Sequence, residues 1–267
     1  MSWHKGQKVH FFEVLFGVIL LLCSAFVAWN LWAVVSGGLP FLGEALRSQE
    51  MHSAIRLSLW TSTVSSLLCM LLAIPCAYSI SAGPLPGRRF CESLLELPLS
   101  LPYLVLGLCL LTTFSSPFGK WLKALGLRIV FDPKGIVVAQ LLVNLPFVIH
   151  LSVDAFRRLD PELSLTAQVL GASRFQAFRY ITLPLSRPAL LSAFLLAWSR
   201  GLGEFGATLM LVGVTRMKTE TLPASIYLNI STGDNGLALA SALLLLMMSL
   251  ILQLMIYFLR ETGGSTS

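Results

Sequence analysis

The sequence predicts an all-α integral membrane protein with six transmembrane helices, a single polytopic domain over residues 1–267 whose core spans about 54–260. Three observations lead to that class. Hydrophobic residues make up 55% of the chain and charged ones only 12%, with a mean hydropathy of +0.78, and a soluble domain would lack the polar surface to cover such a core. The apolar residues fall in six runs near the roughly 20 residues that cross a bilayer. Finally, the excess of Lys and Arg, a net charge of +6, is scattered through short connections. That is the pattern of membrane orientation, whereas a nucleic-acid binder gathers its cations on one face with aromatics.

The first run, about 12–35, follows the basic start Trp3-His4-Lys5 and Lys8. It is too long for a signal-peptide core and has no small-residue cleavage site, so it reads as a retained helix. Runs two to four, about 55–82, 93–114 and 135–154, carry Pro75, Pro98, Pro102 and Pro146, which neighbouring helices tolerate by re-satisfying the freed backbone groups. The longest connection then reads as helix, turn, helix over 160–184. Asp160 suits an N-cap, Pro161 the first helical position and Glu162 the positive end of the dipole. Leu163, Thr166, Ala167 and Leu170 recur at helical spacing. Gly171 stands where the chain needs a left-handed turn, and a second helical stretch reaches Leu183-Pro184. The last runs are about 187–212 and 236–259. Six spans place both termini on one side, and a slight excess of Lys and Arg in that side's loops predicts that side to be cytoplasmic.

The chain shows little that could do chemistry. Its cysteines, Cys23, Cys69, Cys76, Cys91 and Cys109, have no metal-ligand spacing and predict neither disulfides nor zinc. No Walker A pattern, Gly-x-Ser-x-Gly elbow or His/Asp/Glu cluster is present. The chain is therefore predicted to be no enzyme and to hold no catalytic residue, cofactor or metal. His52 and His150 are isolated, and Met247, Met248 and Met255 read as packing.

Three ordered motifs carry a family resemblance. Ala167-x-x-x-Gly171 followed by Ile181-x-Leu183-Pro184 resembles the cytoplasmic "EAA" signature of permease subunits in type I ABC importers. Pro86-Gly87-Arg88-Arg89 with Leu97-Pro98-x-x-Leu101-Pro102, and Arg200-x-x-Gly203-Glu204-Phe205-Gly206-Ala207-Thr208, are similar to the molybdate, tungstate and sulfate branch. The stretch from Thr221 to Asp234 is most similar to its molybdate-type members. The resemblance implies the type I permease fold in a bacterial or archaeal inner membrane and a homodimer of this chain. It further implies a cytoplasmic ABC ATPase dimer that binds ATP and magnesium, and an extracytoplasmic oxyanion-binding protein. Membrane lipid is a further partner, and nucleic acid is not. Glu162, Ser164, Leu165, Ala167, Gly171, Ala172 and Arg174 are implied to couple to the ATPase. Ser164 and Leu165 stand where the family usually has an acid, and the nearest acid is Glu162. A sulfate or thiosulfate permease is the alternative within the family. An ion-coupled secondary transporter is the distant one, although it would carry more intramembrane acids and internal repeats. By composition alone, the short amphipathic helix also fits a headgroup-level element.

In the fifth span, Arg200 and Glu204 are spaced i, i+4, so on an unbroken helix they share a face and neutralise each other. Thr208 continues that face, and Ser199, Gly203 and Ala207 form a small-residue stripe that admits a close helix. Two readings stay open: an internal ion pair that orients the span, or a translocation path at a two-fold interface. Lys120, Lys123, Arg128 and Lys134 on the far side suit an anion, an acidic partner or headgroups.

Overall fold

The computed structural model describes the backbone of residues 3–82 and 86–264 and the side chains of 12–81 and 86–258. The side chains of Trp3, His4, Lys5, Lys8 and Arg260 lie outside the described residues. All secondary structure among the described residues is helical. In order the helices are α1 (Trp3–Ala45), α2 (Gln49–Ala82), α3 (Arg88–Ser100), α4 (Tyr103–Ser115), α5 (Pro117–Ala124), α6 (Pro133–Arg157), α7 (Pro161–Val169), α8 (Arg174–Ala177), α9 (Leu183–Leu185), α10 (Arg187–Leu202), α11 (Gly206–Val212), α12 (Leu222–Ser231) and α13 (Asn235–Gly264). A π-helical turn, Phe178–Thr182, joins α8 to α9.

Five helical stretches are long and apolar enough to cross a bilayer, and a bent pair supplies a sixth. The core is built on α2 and α6, which run parallel. Near one end Gln140 Nε2 lies 3.4 Å from Thr61 Oγ1, and toward the other Tyr78 and Phe156 line one cavity. α10 runs antiparallel to both, with Trp198 Nε1 donating to Thr63 Oγ1 at 2.9 Å. Ser58, Thr61, Ser62, Ser65 and Ser66 make the buried face of α2. Small hydroxyl side chains let the backbones approach, and those of Thr61 and Ser62 return their protons to the helix, as from Ser62 Oγ to the Ser58 carbonyl at 2.7 Å.

Two expected spans differ from their prediction. The third, expected as one span over 93–114 interrupted by prolines, is α3 and α4 bent by 112°. Pro102 is the cause: it offers no N–H and drives Leu101 out of the helical region, to φ −92° and ψ 142°. The fifth, expected as 187–212, has its helical run from Arg174 to Leu202, breaks over Gly203–Phe205 and resumes as α11. Pro75, Pro98 and Pro146 stay inside their helices. On the far side of the molecule from α7, Arg216 binds Glu50 and Asn229, tying the loop after α11 to α2 and α12.

Candidate functional site

The breaks in the third and fifth spans touch. A Cβ at Gly206 would lie 3.0 Å from Tyr103 Cβ and 3.4 Å from the Leu104 nitrogen, and one at Gly107 would lie 2.7 Å from the Ala207 carbonyl oxygen. Only glycine lets the two helices start side by side. Their N-termini carry freed amides and the positive end of the peptide dipole, but the two are treated differently. Glu204, 3% exposed, closes α11: Oε1 accepts from the Ala207 N–H at 2.8 Å and Oε2 from the Thr208 N–H at 3.1 Å. α4 begins after Pro102 with no side-chain cap, and the Tyr103 and Leu104 N–H groups have no partner among the described residues.

Arg200 sits beside the open terminus. Its Nη2 donates to Tyr103 Oη at 2.8 Å, its Nε donates to Asn144 Oδ1 at 3.3 Å, and its guanidinium carbon stands 4.6 Å from the Phe147 ring centroid. Gln140 Nε2 donates to the Gly201 carbonyl at 2.8 Å and so holds the end of α10 to α6. The expected Arg200–Glu204 pair does not form among the described residues. The break between them turns Glu204 inward onto α11 and leaves Arg200 with neutral partners. The expected stripe is interrupted in the same way. Gly203 is exposed, Ser199 half-buried, and Ala207 and Thr208 are buried within this chain. Asn144, Gln140 and Tyr103 were missed from sequence. Their signal was a pair of amides at i, i+4 inside an apolar span and a phenol directly after a helix-breaking proline.

At the far end of α10 the predicted helix, turn, helix is present. Asp160 Oδ1 accepts from the Glu162 N–H at 2.9 Å. Gly171 has φ +98°, and the chain closes α7 with bonds from Gly171 N–H to the Gln168 carbonyl and from Ala172 N–H to the Ala167 carbonyl, at 3.0 and 2.9 Å. This is the double bond of a left-handed C-terminal cap. Ser173 and Gln176 then form a reciprocal capping box, the Ser-x-x-Gln spacing that marks a helix start. Ser164 is half-buried under the Gln168 amide, and Ala167 and Ala172 are half-buried. Glu162, Leu165, Gly171 and Arg174 are exposed. The most prominent side chains are Val169 at 87% and Leu170 at 83% exposure. A cavity of about 440 Å³ is lined by Ser164, Leu165, Arg174, Tyr78 and Arg157 among others. Arg157 is held by Glu92 at 3.3 Å. His150 lies between Glu96 and Asp154 at 3.7 and 3.8 Å.

Comparison with known proteins bears on the family and the fold. Residues 70–261 match the family described as binding-protein-dependent transport system inner membrane component. The chain is 34% identical to the molybdenum transport system permease protein ModB of Mycobacterium tuberculosis over 85% of its length and 87% of the relative's. It is 31% identical to the sulfate transport system permease protein CysT of Escherichia coli over 83% of its length and 80% of the relative's. In fold it resembles a chain of a bacterial alginate ABC transporter solved with an alginate-bound periplasmic protein, with a TM-score of 0.73, 19% identity, and coverage of 94% of this chain and 93% of the other. It also resembles a chain of the MetNI methionine ABC transporter, with a TM-score of 0.64, 16% identity, and coverage of 82% and 96%.

Proposed function

We propose, from the premise that this chain belongs to the binding-protein-dependent transport system inner membrane component family, that it is the permease of an ATP-driven importer of a tetrahedral oxyanion, molybdate or tungstate ahead of sulfate. As a multi-pass membrane component of a transport system, the chain has the task of forming a path, and the chemical work of ATP hydrolysis falls to a partner. The observation that carries the reading is the pair of touching breaks with Arg200 beside an uncapped helix start. Discontinuous spans with half-helix N-termini aimed at an anion are a recurrent device of transporters. Arg200 spends two donor contacts on Tyr103 and Asn144, and a guanidinium has five N–H groups. A cation without a carboxylate partner attracts an oxyanion, and its neutral hydrogen-bond partners keep it from being a sink.

The other half of the reading is a lever. From Arg174 to Leu202 the chain is a helical run of 29 residues, on the order of 43 Å at 1.5 Å per residue. One end carries the exposed Val169–Leu170 tip, which suits a hydrophobic cleft on an ATPase subunit. The other end carries Arg200 and the hinge at Gly203. α11 stays with α4 and α6 in the cluster of Leu106, Ile136, Ala207, Leu211 and Val212. In a homodimer with cytoplasmic termini, closure of the ATPase dimer would draw the two α7 tips together. That movement would swing α10 about Gly203, and an extracytoplasmic binding protein would deliver the anion. Apolar contact at Leu165, Val169 and Leu170 takes the part of the family's usual acid in gripping the ATPase. ATP shifts such an equilibrium through its different contacts with the two states.

The ModB relative supports molybdate, and the CysT relative keeps sulfate as the specific second reading. The test is vanadate-sensitive, ATP-dependent uptake of labelled molybdate, tungstate and sulfate by the reconstituted complex. We expect uptake of the first two, competed weakly by sulfate. Uptake of sulfate alone would move the assignment to the second reading, and no oxyanion uptake would remove it.

A further inference from the structure

We propose that α5 is an anionic-lipid anchor that fixes the outer end of α4 to the membrane surface opposite the α7 end. α5 is a helix of eight residues, Pro117–Ala124, that starts directly after the spanning helix α4. A Cβ at Gly119 would overlap the Phe114 carbonyl, so the glycine folds α5 tightly against the end of α4 and fixes its direction. Phe114, Phe118 and Trp121 follow one another at ring separations of 6.2 Å.

The two faces of α5 are chemically opposed. Phe118, Trp121, Leu122 and Leu125 share one side at spacings of three and four residues, while Lys120 and Lys123 lie on the other. The chain does not cover the apolar side: Phe118 is 51%, Trp121 58% and Leu125 61% exposed. Among the described residues Lys120, Lys123 and Arg128 make no ion pair. An apolar stripe with aromatics, backed by unpaired cations, at the end of a transmembrane helix matches one surrounding: rings at the acyl boundary and ammonium groups among lipid phosphates. An acidic protein partner would use the cations but leave the aromatic face in water.

The anchor has a mechanical consequence. α4 holds α11 at Gly107 and Ala207, so pinning α5 makes the outer half of both broken spans a fixed frame against which α10 can turn.

The test uses the full chain in vesicles carrying a spin-labelled lipid at the headgroup or at the upper acyl chain. Tryptophan quenching is compared with that of Trp121→Phe, in a protein with six tryptophans. The proposal expects the Trp121 contribution to be quenched by the shallow probes and shielded from aqueous iodide. In the same vesicles, the triple variant Lys120→Gln, Lys123→Gln, Arg128→Gln is expected to lose anionic-over-zwitterionic lipid enrichment by about threefold to tenfold while keeping Trp121 quenching. Trp121 open to iodide and untouched by lipid probes would overturn the proposal. So would shielding that appears only when an extracytoplasmic binding protein is added, or lipid enrichment unchanged in the triple variant.

Discussion

The two broken spans begin again side by side, yet one closes its own terminus and the other leaves it open. In α11 the freed amides are taken by Glu204, a residue of the same break buried against its own helix. In α4 the corresponding position is Leu101, which like the N-cap Pro102 has no side chain able to accept a hydrogen bond, and Arg200 binds the phenol of the first helical residue instead. The difference assigns separate tasks to two motif residues that the sequence presents as a pair. Glu204 holds the start of α11 through two of its amides. Arg200 keeps a positive charge, without a carboxylate partner among the described residues, beside the residue that opens α4.

Breaking the closed terminus is expected to have the largest effect. Glu204→Ala leaves two buried amides unpaired, a loss of about 2–4 kcal/mol, seen as a lowered unfolding midpoint in detergent together with lost uptake. Glu204→Gln, which keeps an acceptor oxygen, should recover part of the stability. If Glu204→Ala melted like the parent chain, the capping role would be wrong. Next comes the open terminus: Arg200→Gln should lower uptake by about tenfold or more, the scale of one charged hydrogen-bonding contact, with the melting midpoint nearly unchanged. An equal loss of stability in that variant would make Arg200 structural. Tyr103→Phe removes the phenol that orients Arg200 and should cost roughly threefold in uptake. Added to Arg200→Gln it should cost nothing more, because the two act as one unit. Smallest is Glu92→Gln, which breaks the partly exposed pair with Arg157. Such pairs contribute about 0.2–1 kcal/mol, so a shift of a few degrees at most in thermal melting is expected.

Much of this was legible in the sequence where local chemistry decides the outcome. The helix from Asp160, the turn at Gly171 and the exit through Leu183-Pro184 are written in cap and turn residues whose preferences act over a few positions, and the apolar runs give the spans. The breaks were not legible in the same way. Pro75, Pro98, Pro102 and Pro146 look alike in sequence, but only Pro102 of these stands at a break, where the start of α11 packs against Tyr103 and Leu104. The Arg200–Glu204 spacing misled for a related reason. An i, i+4 pair meets only on a continuous helix, and Gly203 with Glu204's attraction to the α11 amides ends the helix between them. Asn144, Gln140 and Tyr103 enter the site from other spans, and their placement depends on the packing of α6 and α4 against α10.

The central claim is that α10 turns about Gly203 while α11 stays fixed to α4. The direct measurement is spin-label distances in the assembled ATPase complex with and without ATP and vanadate, between Thr112 on α4 and Ser192 on α10, and between Thr112 and Lys218 beyond α11. The account predicts that the first distance shifts by several ångströms and the second holds. Both distances moving together, as for a fifth span that tilts as one rigid rod, would contradict it.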